Sequence, residues 1–423
     1  MPLDGCRTSH TVEKQEAVRS LCCPACRSTA VTEVFRKSSM PKYNLSRHLD
    51  RKSALQAPRG DLDFRFCQQC YFTFNAAFDQ ASMDYAVDYE ASRASSQVFT
   101  SYLNSVCDDV QRTFDMAGKR VVEIGCGDGQ FLLGLRRKRS FSGYGFDQSA
   151  WTESIPHPFE DIRFVQGGYT ADTLPHPPDL IMLRHILEHQ ANPHEFLNRI
   201  LPKGPGNVDC YIEVPAWEWI VEHFQIAAFH YEHCSYYTRH AMQDALAQHG
   251  IMTERITYGF NDEYLQYYGR SGIDRLHRKR PQPQRTLIRK TEAFRRTAPK
   301  IIEGLAHTLR RDYPDAVFWG AAGKGTTLLN LLELGHDALG YVVDSNPRRV
   351  DTFIPGTGQH VVNPEFLKTL KPRQVLLTNP LYTEEIRLRL HTLGLKPRLI
   401  PLDDIINAVV KTLEPHRITS SES

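Results

Sequence analysis

No apolar run in the 423 residues approaches the roughly 20 needed to cross a bilayer, so no membrane span is expected. Net charge is nearly absent: 51 Lys and Arg stand against 49 Asp and Glu, a formal +2. The two signs are interspersed, and no basic stripe interleaved with aromatics appears, which argues against a nucleic-acid partner. Met1 to Ser20 carry no apolar core of the signal-peptide kind, so the cytoplasm is the expected setting. No repeat recurs at a solenoid period. What is present is a 41% hydrophobic fraction, enough for buried cores, in a chain too long for one ordinary domain.

The ten cysteines are unevenly placed. Cys23-Pro-Ala-Cys26 and Cys67-Gln-Gln-Cys70 each set two thiols on a tight turn, one half of a tetrahedral site. Together they predict a structural Zn²⁺ that stabilises a module too small to fold on its own apolar core. Cys22, beside Cys23, is a competing ligand, and a redox pair is the rival reading.

Strand and helix signals alternate after an aromatic lead-in. Strands are predicted at Arg120–Ile124, Gly143–Phe146, Ile162–Val165, Leu180–Leu183 and Cys210–Val214, the pattern of a parallel sheet with crossover helices. A stretch rich in Arg, Lys and Pro (Arg275, Arg278, Lys279, Arg280, Pro281, Pro283) reads as a solvated linker running into a helix. The alternation then restarts at Ala316–Gly320, Leu339–Asp344, Val375–Thr378 and Arg398–Pro401.

The most specific signal is Arg120-Val-Val-Glu-Ile-Gly-Cys-Gly-Asp-Gly129. An apolar strand carrying Glu123 runs into Gly125, Gly127 and Gly129, which let the backbone turn tightly and pass close to a ligand. Gly143-Tyr-Gly-Phe-Asp147 follows, a strand ending in an acid placed to accept ribose hydroxyls. With Asp179-Leu-Ile-Met-Leu-Arg-His-Ile-Leu-Glu-His189, these resemble the ordered motifs of class I methyltransferases. The resemblance implies S-adenosylmethionine as cofactor, held by Glu123, the three glycines and Asp147, with Tyr89 of the lead-in as a further candidate.

Phe229-His-Tyr-Glu-His-Cys-Ser-Tyr-Tyr-Thr238 follows the strand Tyr211–Val214 and its Pro215-Ala-Trp217 turn. In a class I sheet that strand exits beside the cofactor's methyl group. Tyr231, Glu232 and His233 there would supply a phenol, an acid and a base of near-neutral pKa. A half-buried helix with inward aromatics fits the same segment.

The whole chain resembles the sugar C-methyltransferases that act on nucleotide-linked keto-deoxysugars. The cysteine pairs match that family's zinc module, and Gly320-Ala-Ala-Gly-Lys-Gly-Thr-Thr-Leu-Leu-Asn330 with Tyr341-Val-Val-Asp344-Ser-Asn-Pro347 matches its C-terminal domain. The resemblance implies His233 as general base, Glu232 as its orienter, and His189 or Tyr231 near the enolate oxygen. The family's leading Tyr falls on His230, counted with Lys324 among the candidate substrate contacts. Lys324 is followed by Gly325, which excludes a Walker-type NTPase loop; in its glycine turn it would meet a diphosphate.

The expected fold is α/β: a zinc-binding module over residues 1–80, a Rossmann-like methyltransferase core over 81–270, a basic linker and helix over 271–297, and a Rossmann-like domain over 298–423. The expected function is C-methylation next to the ketone of a small, nucleotide-linked keto-deoxysugar by a monomer or homodimer. The rivals are O- or N-methylation of another metabolite, and methylation of nucleic acid or protein with the zinc module as reader.

Overall fold

The computed structural model describes residues 21–84, 89–90, 92–149, 152, 154–156, 158–202, 208–271 and 284–413. The N-terminal stretch read for a signal peptide and most of the basic linker lie outside these residues.

The N-terminal module is a small antiparallel sheet. Strand β1 (Val31–Pro41) pairs with β2 (Arg59–Cys67), and β2 pairs with β3 (Thr73–Asn75); a short helix α1 (Arg51–Leu55) fills the β1–β2 connection. The cysteine pairs cap one end: Cys67 closes β2, and Cys23 and Cys26 lie just before β1.

Helix α2 (Gln97–Thr113), capped by the Ser96 hydroxyl on the Phe99 N–H, leads into the core. There β4 (Arg120–Ile124), α3 (Gln130–Lys138), β5 (Ser142–Asp147), β6 (Ile162–Gln166), β7 (Leu180–Arg184), α4 (Pro193–Ile200) and β8 (Asp209–Pro215) alternate. After α5 (Trp217–Glu222), the two-residue β9 (Ser235–Tyr236) leaves this layer and pairs with β3 of the cysteine module. Helix α6 (Arg239–Ala247) and the hairpin β10 (Ile251–Gly259)–β11 (Tyr264–Ser271) complete the core. The sheet order is β10-β11-β8-β7-β4-β5-β6, with β11 antiparallel to β8. Chain order reverses between β4 and β7, so the crevice beyond their carboxyl ends is the natural ligand site of such a sheet. The five strands predicted from the sequence are β4 to β8; β4, β7 and β8 are buried nearly throughout, as central strands covered on both faces require, while β6 at the sheet edge is largely exposed.

Helix α7 (Arg285–Asp312) crosses from the core to the C-terminal layer, and the predicted boundary at 297/298 falls inside it. A second parallel sheet follows, built from β12 (Val317–Trp319), α8 (Lys324–Leu331), β13 (Tyr341–Val343), β14 (His360–Val362), α9 (Leu367–Leu370), β15 (Gln374–Leu377), α10 (Thr383–Thr392), β16 (Arg398–Pro401) and α11 (Leu402–Leu413). Its order is β14-β13-β12-β15-β16. Helices α7 and α8 pack on β1, and one apolar core runs through all three parts: Phe35, Phe64, Trp217, Phe229, Phe294 and Leu328 are all buried within it. Among the described residues, no helix is long and apolar enough to cross a membrane.

Candidate active site

Each Rossmann unit turns the same loop toward one cavity of about 1920 Å³. After β4 the chain passes through Gly125, Gly127 and Gly129 at positive φ, where side chains are disfavoured. A Cβ on Gly125 would strike Ile186, whereas one on Gly127 would meet nothing within 4 Å. The loop thus fits tightly on its own strands and leaves room on the ligand side. Asp147, at the end of β5, accepts hydrogen bonds from the Gly127 N–H at 2.8 Å and the Ser149 N–H at 2.9 Å. Glu123 is buried beneath, with Oε2 lacking a hydrogen-bond partner among the described residues, and burial pushes its pKa up to about 8. These features fit a bound nucleoside cofactor: an open approach to the loop, an acid at the end of the neighbouring strand, and a carboxyl oxygen still to be satisfied.

The C-terminal unit repeats the construction. After β12 come Gly320 and Gly323, both at positive φ, and Asp344 at the end of β13 accepts from the Ala321 N–H at 2.9 Å and the Asn346 N–H at 2.8 Å. Sequence reasoning picked Lys324 as the cation of this loop. Its ammonium instead pairs with Glu263 at 2.9 Å and lies over the Trp219 ring, so its charge is already answered within the protein.

Three imidazoles meet on the cavity wall between the units. The His233 ring lies 4.9 Å from that of His189 and 4.6 Å from that of His230, centroid to centroid. Burial, then the neighbouring imidazoles, push the His233 pKa well below its ordinary value, so the ring is neutral near pH 7. His230 is pushed down to about 3 by burial, and its Nδ1 is tied to Asn44 at 2.8 Å and Thr327 at 2.5 Å. It therefore joins the cysteine module to α8, while one edge of it still lines the cavity.

Two assignments change. Tyr231 does not line the cavity: it is buried against Phe78, its hydroxyl accepts from the Asp79 N–H at 3.1 Å, and Gly60 leaves the space its ring occupies. With His230, Glu232 and His233 facing the cavity, the residue between them is turned into the N-terminal module, and its role is packing. Glu232 does line the cavity, but its oxygens are taken by the Asn44 N–H and the Tyr89 hydroxyl, both at 2.5 Å. Tyr89, assigned from the sequence to the cofactor, thus reaches the histidine side of the cavity.

The sequence reading passed over His185, one residue beyond β7. It adopts φ 56, a strained conformation for a non-glycine residue. Its Nδ1 lies 3.2 Å from Glu188 and its Nε2 3.3 Å from Glu213. Burial disfavours its charge, but the two carboxylates outweigh it and hold the pKa above the usual value. Glu213 also accepts from Arg184 at 2.7 Å and Tyr102 at 2.5 Å, whereas His185 Nε2 and Glu188 Oε2 are buried with no hydrogen-bond partner among the described residues. Arg184 and His185 stand in the strand motif itself, but nothing in their spacing tells that two buried acids converge on them.

Away from the cavity, the sulfurs of Cys23 and Cys70 lie 3.6 Å apart and those of Cys26 and Cys67 3.5 Å apart, with all four clustered. A tetrahedral shell of thiolates around one zinc has edges of roughly 3.8 Å, so the cluster fits that ion. Cys22 is exposed and outside it.

Residues 98–254 match the family model of a methyltransferase domain, and residues 283–395 match that of the C-methyltransferase C-terminal domain. The chain thus carries a methyltransferase domain followed by a C-methyltransferase C-terminal domain. It is an enzyme, and S-adenosylmethionine is its methyl donor. No curated protein matches the chain. Among solved structures, it is similar to the plantazolicin methyltransferase BpumL in complex with SAH (17% identity, 42% of this chain and 85% of that one, TM-score 0.33). A geranyl diphosphate C-methyltransferase from Streptomyces coelicolor A3(2) is 13% identical over 40% of this chain and 76% of its own, with TM-score 0.32. A SAM dependent methyltransferase from Aquifex aeolicus is 14% identical over 43% and 100%, with TM-score 0.32. Each likeness spans less than half of this chain and is silent on substrate.

Proposed function

We propose that this enzyme methylates a carbon next to the ketone of a small nucleotide-linked keto-deoxysugar, with His233 as the base. A C–H bond becomes a nucleophile only after its proton is removed, so the site needs a neutral base facing a water-poor cavity. The observation that carries the reading is the neutral His233 imidazole on the cavity wall, crowded by His189 and His230. His233 takes the proton from the carbon, and His189 stands beside the resulting enolate oxygen. Glu232, locked by Asn44 and Tyr89, fixes the segment that carries His233. Glu123, the glycine loop and Asp147 hold S-adenosylmethionine, which supplies an electrophilic methyl group when bound. The four cysteines hold a structural zinc that fixes the end of the first sheet.

Solvent exchange tests the base. With S-adenosylhomocysteine bound, wild type should wash deuterium into the position next to the ketone of one member of a panel of nucleotide-linked 4-keto sugars, and His233→Ala should not. Exchange as fast in the variant as in wild type removes His233 from the role. Absence of exchange on every keto-sugar, with methyl transfer to another acceptor, favours O- or N-methylation.

A further inference from the structure

Arg349 lies five residues beyond Asp344, in the turn after β13, and lines the cavity at only 6% exposure. Among the described residues its guanidinium makes no hydrogen bond and no ion pair. That is unusual, since a guanidinium carries five N–H donors and its burial without acceptors is costly. The charges that face it do not fill the gap. Asp344 spends its oxygens on the Ala321 and Asn346 N–H groups. Glu90, itself buried, accepts from the Ser92 N–H at 2.9 Å, from Asn346 at 3.3 Å and from Arg348 at 3.3 Å. Arg47, whose guanidinium donates to the Arg348 carbonyl at 3.0 Å, adds a further positive charge nearby. Glu232, the other carboxylate facing Arg349, spends its oxygens on the Asn44 N–H and the Tyr89 hydroxyl. Burial, unrelieved by any direct partner, holds the Arg349 pKa below the ordinary arginine value.

We propose that Arg349 anchors a diphosphate group of the substrate, in the C-terminal half of the cavity. Phosphoryl oxygens supply the acceptors the guanidinium lacks, and a planar fork matches two of them at once. The position also suits a nucleoside diphosphate: the glycine turn between β12 and α8 and the carboxylate of Asp344 lie beside it on the same wall, and Lys324, the other cation of that turn, is already paired with Glu263. The anchor deepens the reading of a nucleotide-linked substrate and rests on it.

Calorimetry on the full chain, saturated with S-adenosylhomocysteine, tests the proposal without any methyl transfer. The probes are inorganic pyrophosphate, UDP, dTDP and the corresponding plain nucleosides. Wild type should bind a diphosphate probe, Arg349→Gln should weaken that binding about 10–100-fold, and Arg349→Lys should recover part of it. Affinity for S-adenosylhomocysteine should be the same in all three, which also reports that the variants fold. Tighter binding of a nucleoside diphosphate than of pyrophosphate assigns the neighbouring turn to the nucleoside. The proposal is overturned if wild type binds none of the diphosphates, if a plain nucleoside binds as well as its diphosphate, or if the Gln variant binds like wild type. Should the Gln variant not fold, the wild-type titration and the Lys variant still decide. A failure of carbon methylation leaves this binding untouched, so the two readings fail separately.

Discussion

The rings of His189 and His233 meet edge to face, with 4.9 Å between centroids and 90° between planes. Burial, then the imidazoles of His230 and His189, disfavours a proton on His233. His233→Ala should lower kcat by about 10²–10⁴-fold while leaving cofactor affinity intact, the usual share of a positioned base. His189→Ala removes part of the repulsion that keeps His233 neutral, so His233 should hold its proton to higher pH. The acid limb of the kcat/KM profile should then move to higher pH in that variant. A limb that stays put, or moves down, would separate the two rings electrostatically.

Tyr231 sits between two cavity residues in sequence and outside the cavity in space. Tyr231→Phe loses one hydrogen bond to the Asp79 N–H and keeps the packing on Phe78. We expect kcat within about 3-fold of wild type and a stability loss of about 1 kcal/mol. A fall in rate comparable to that of His233→Ala would return the phenol to the chemistry.

The four-sulfur cluster predicts one zinc per chain. Metal analysis of reduced, purified protein should give one equivalent, and Cys67→Ser should lose it together with several degrees of Tm. Stoichiometric retention of zinc in Cys67→Ser would mean that the ion sits elsewhere.

Glu123 gives the cofactor-free enzyme a characteristic pH dependence. Its pKa is raised to about 8 in the folded chain, chiefly by burial, against an ordinary value of 4.5. Between those two values the folded state holds a proton that the unfolded state releases, so this residue's contribution is complete below about pH 4.5 and is lost as pH climbs to 8. Glu123→Gln should flatten the fall in Tm across that window. Equal slopes in the two proteins would show that Glu123 titrates normally.

Much of this architecture was legible in the residues. Strands β4 to β8 announce themselves as short apolar runs between glycine turns and helices, and β12, β13, β15 and β16 repeat the signal. Strand β11 was missed because Tyr264, Tyr267 and Tyr268 are buried on both faces, which erases alternation. At the site, glycine spacing located the cofactor loop, and the His-rich stretch located the histidines. Which way each side chain turned was not readable. The displacement of Tyr231 depends on Gly60, far away in sequence, and the isolation of Arg349 depends on how Asp344 and Glu90 spend their oxygens.

Strand β9 is only two residues long, yet it belongs to the sheet of the cysteine module and begins two residues after His233. Phe74 pairs with Ser235, Thr73 pairs with Tyr236, and the Asn75 N–H donates to the Cys234 carbonyl at 2.8 Å. The glycine loop after β4 and the segment that carries His233 are thus braced by different sheets. Loosening the pairing of β3 with β9 would therefore reach the histidine wall of the cavity while the glycine loop after β4 stayed braced by its own sheet.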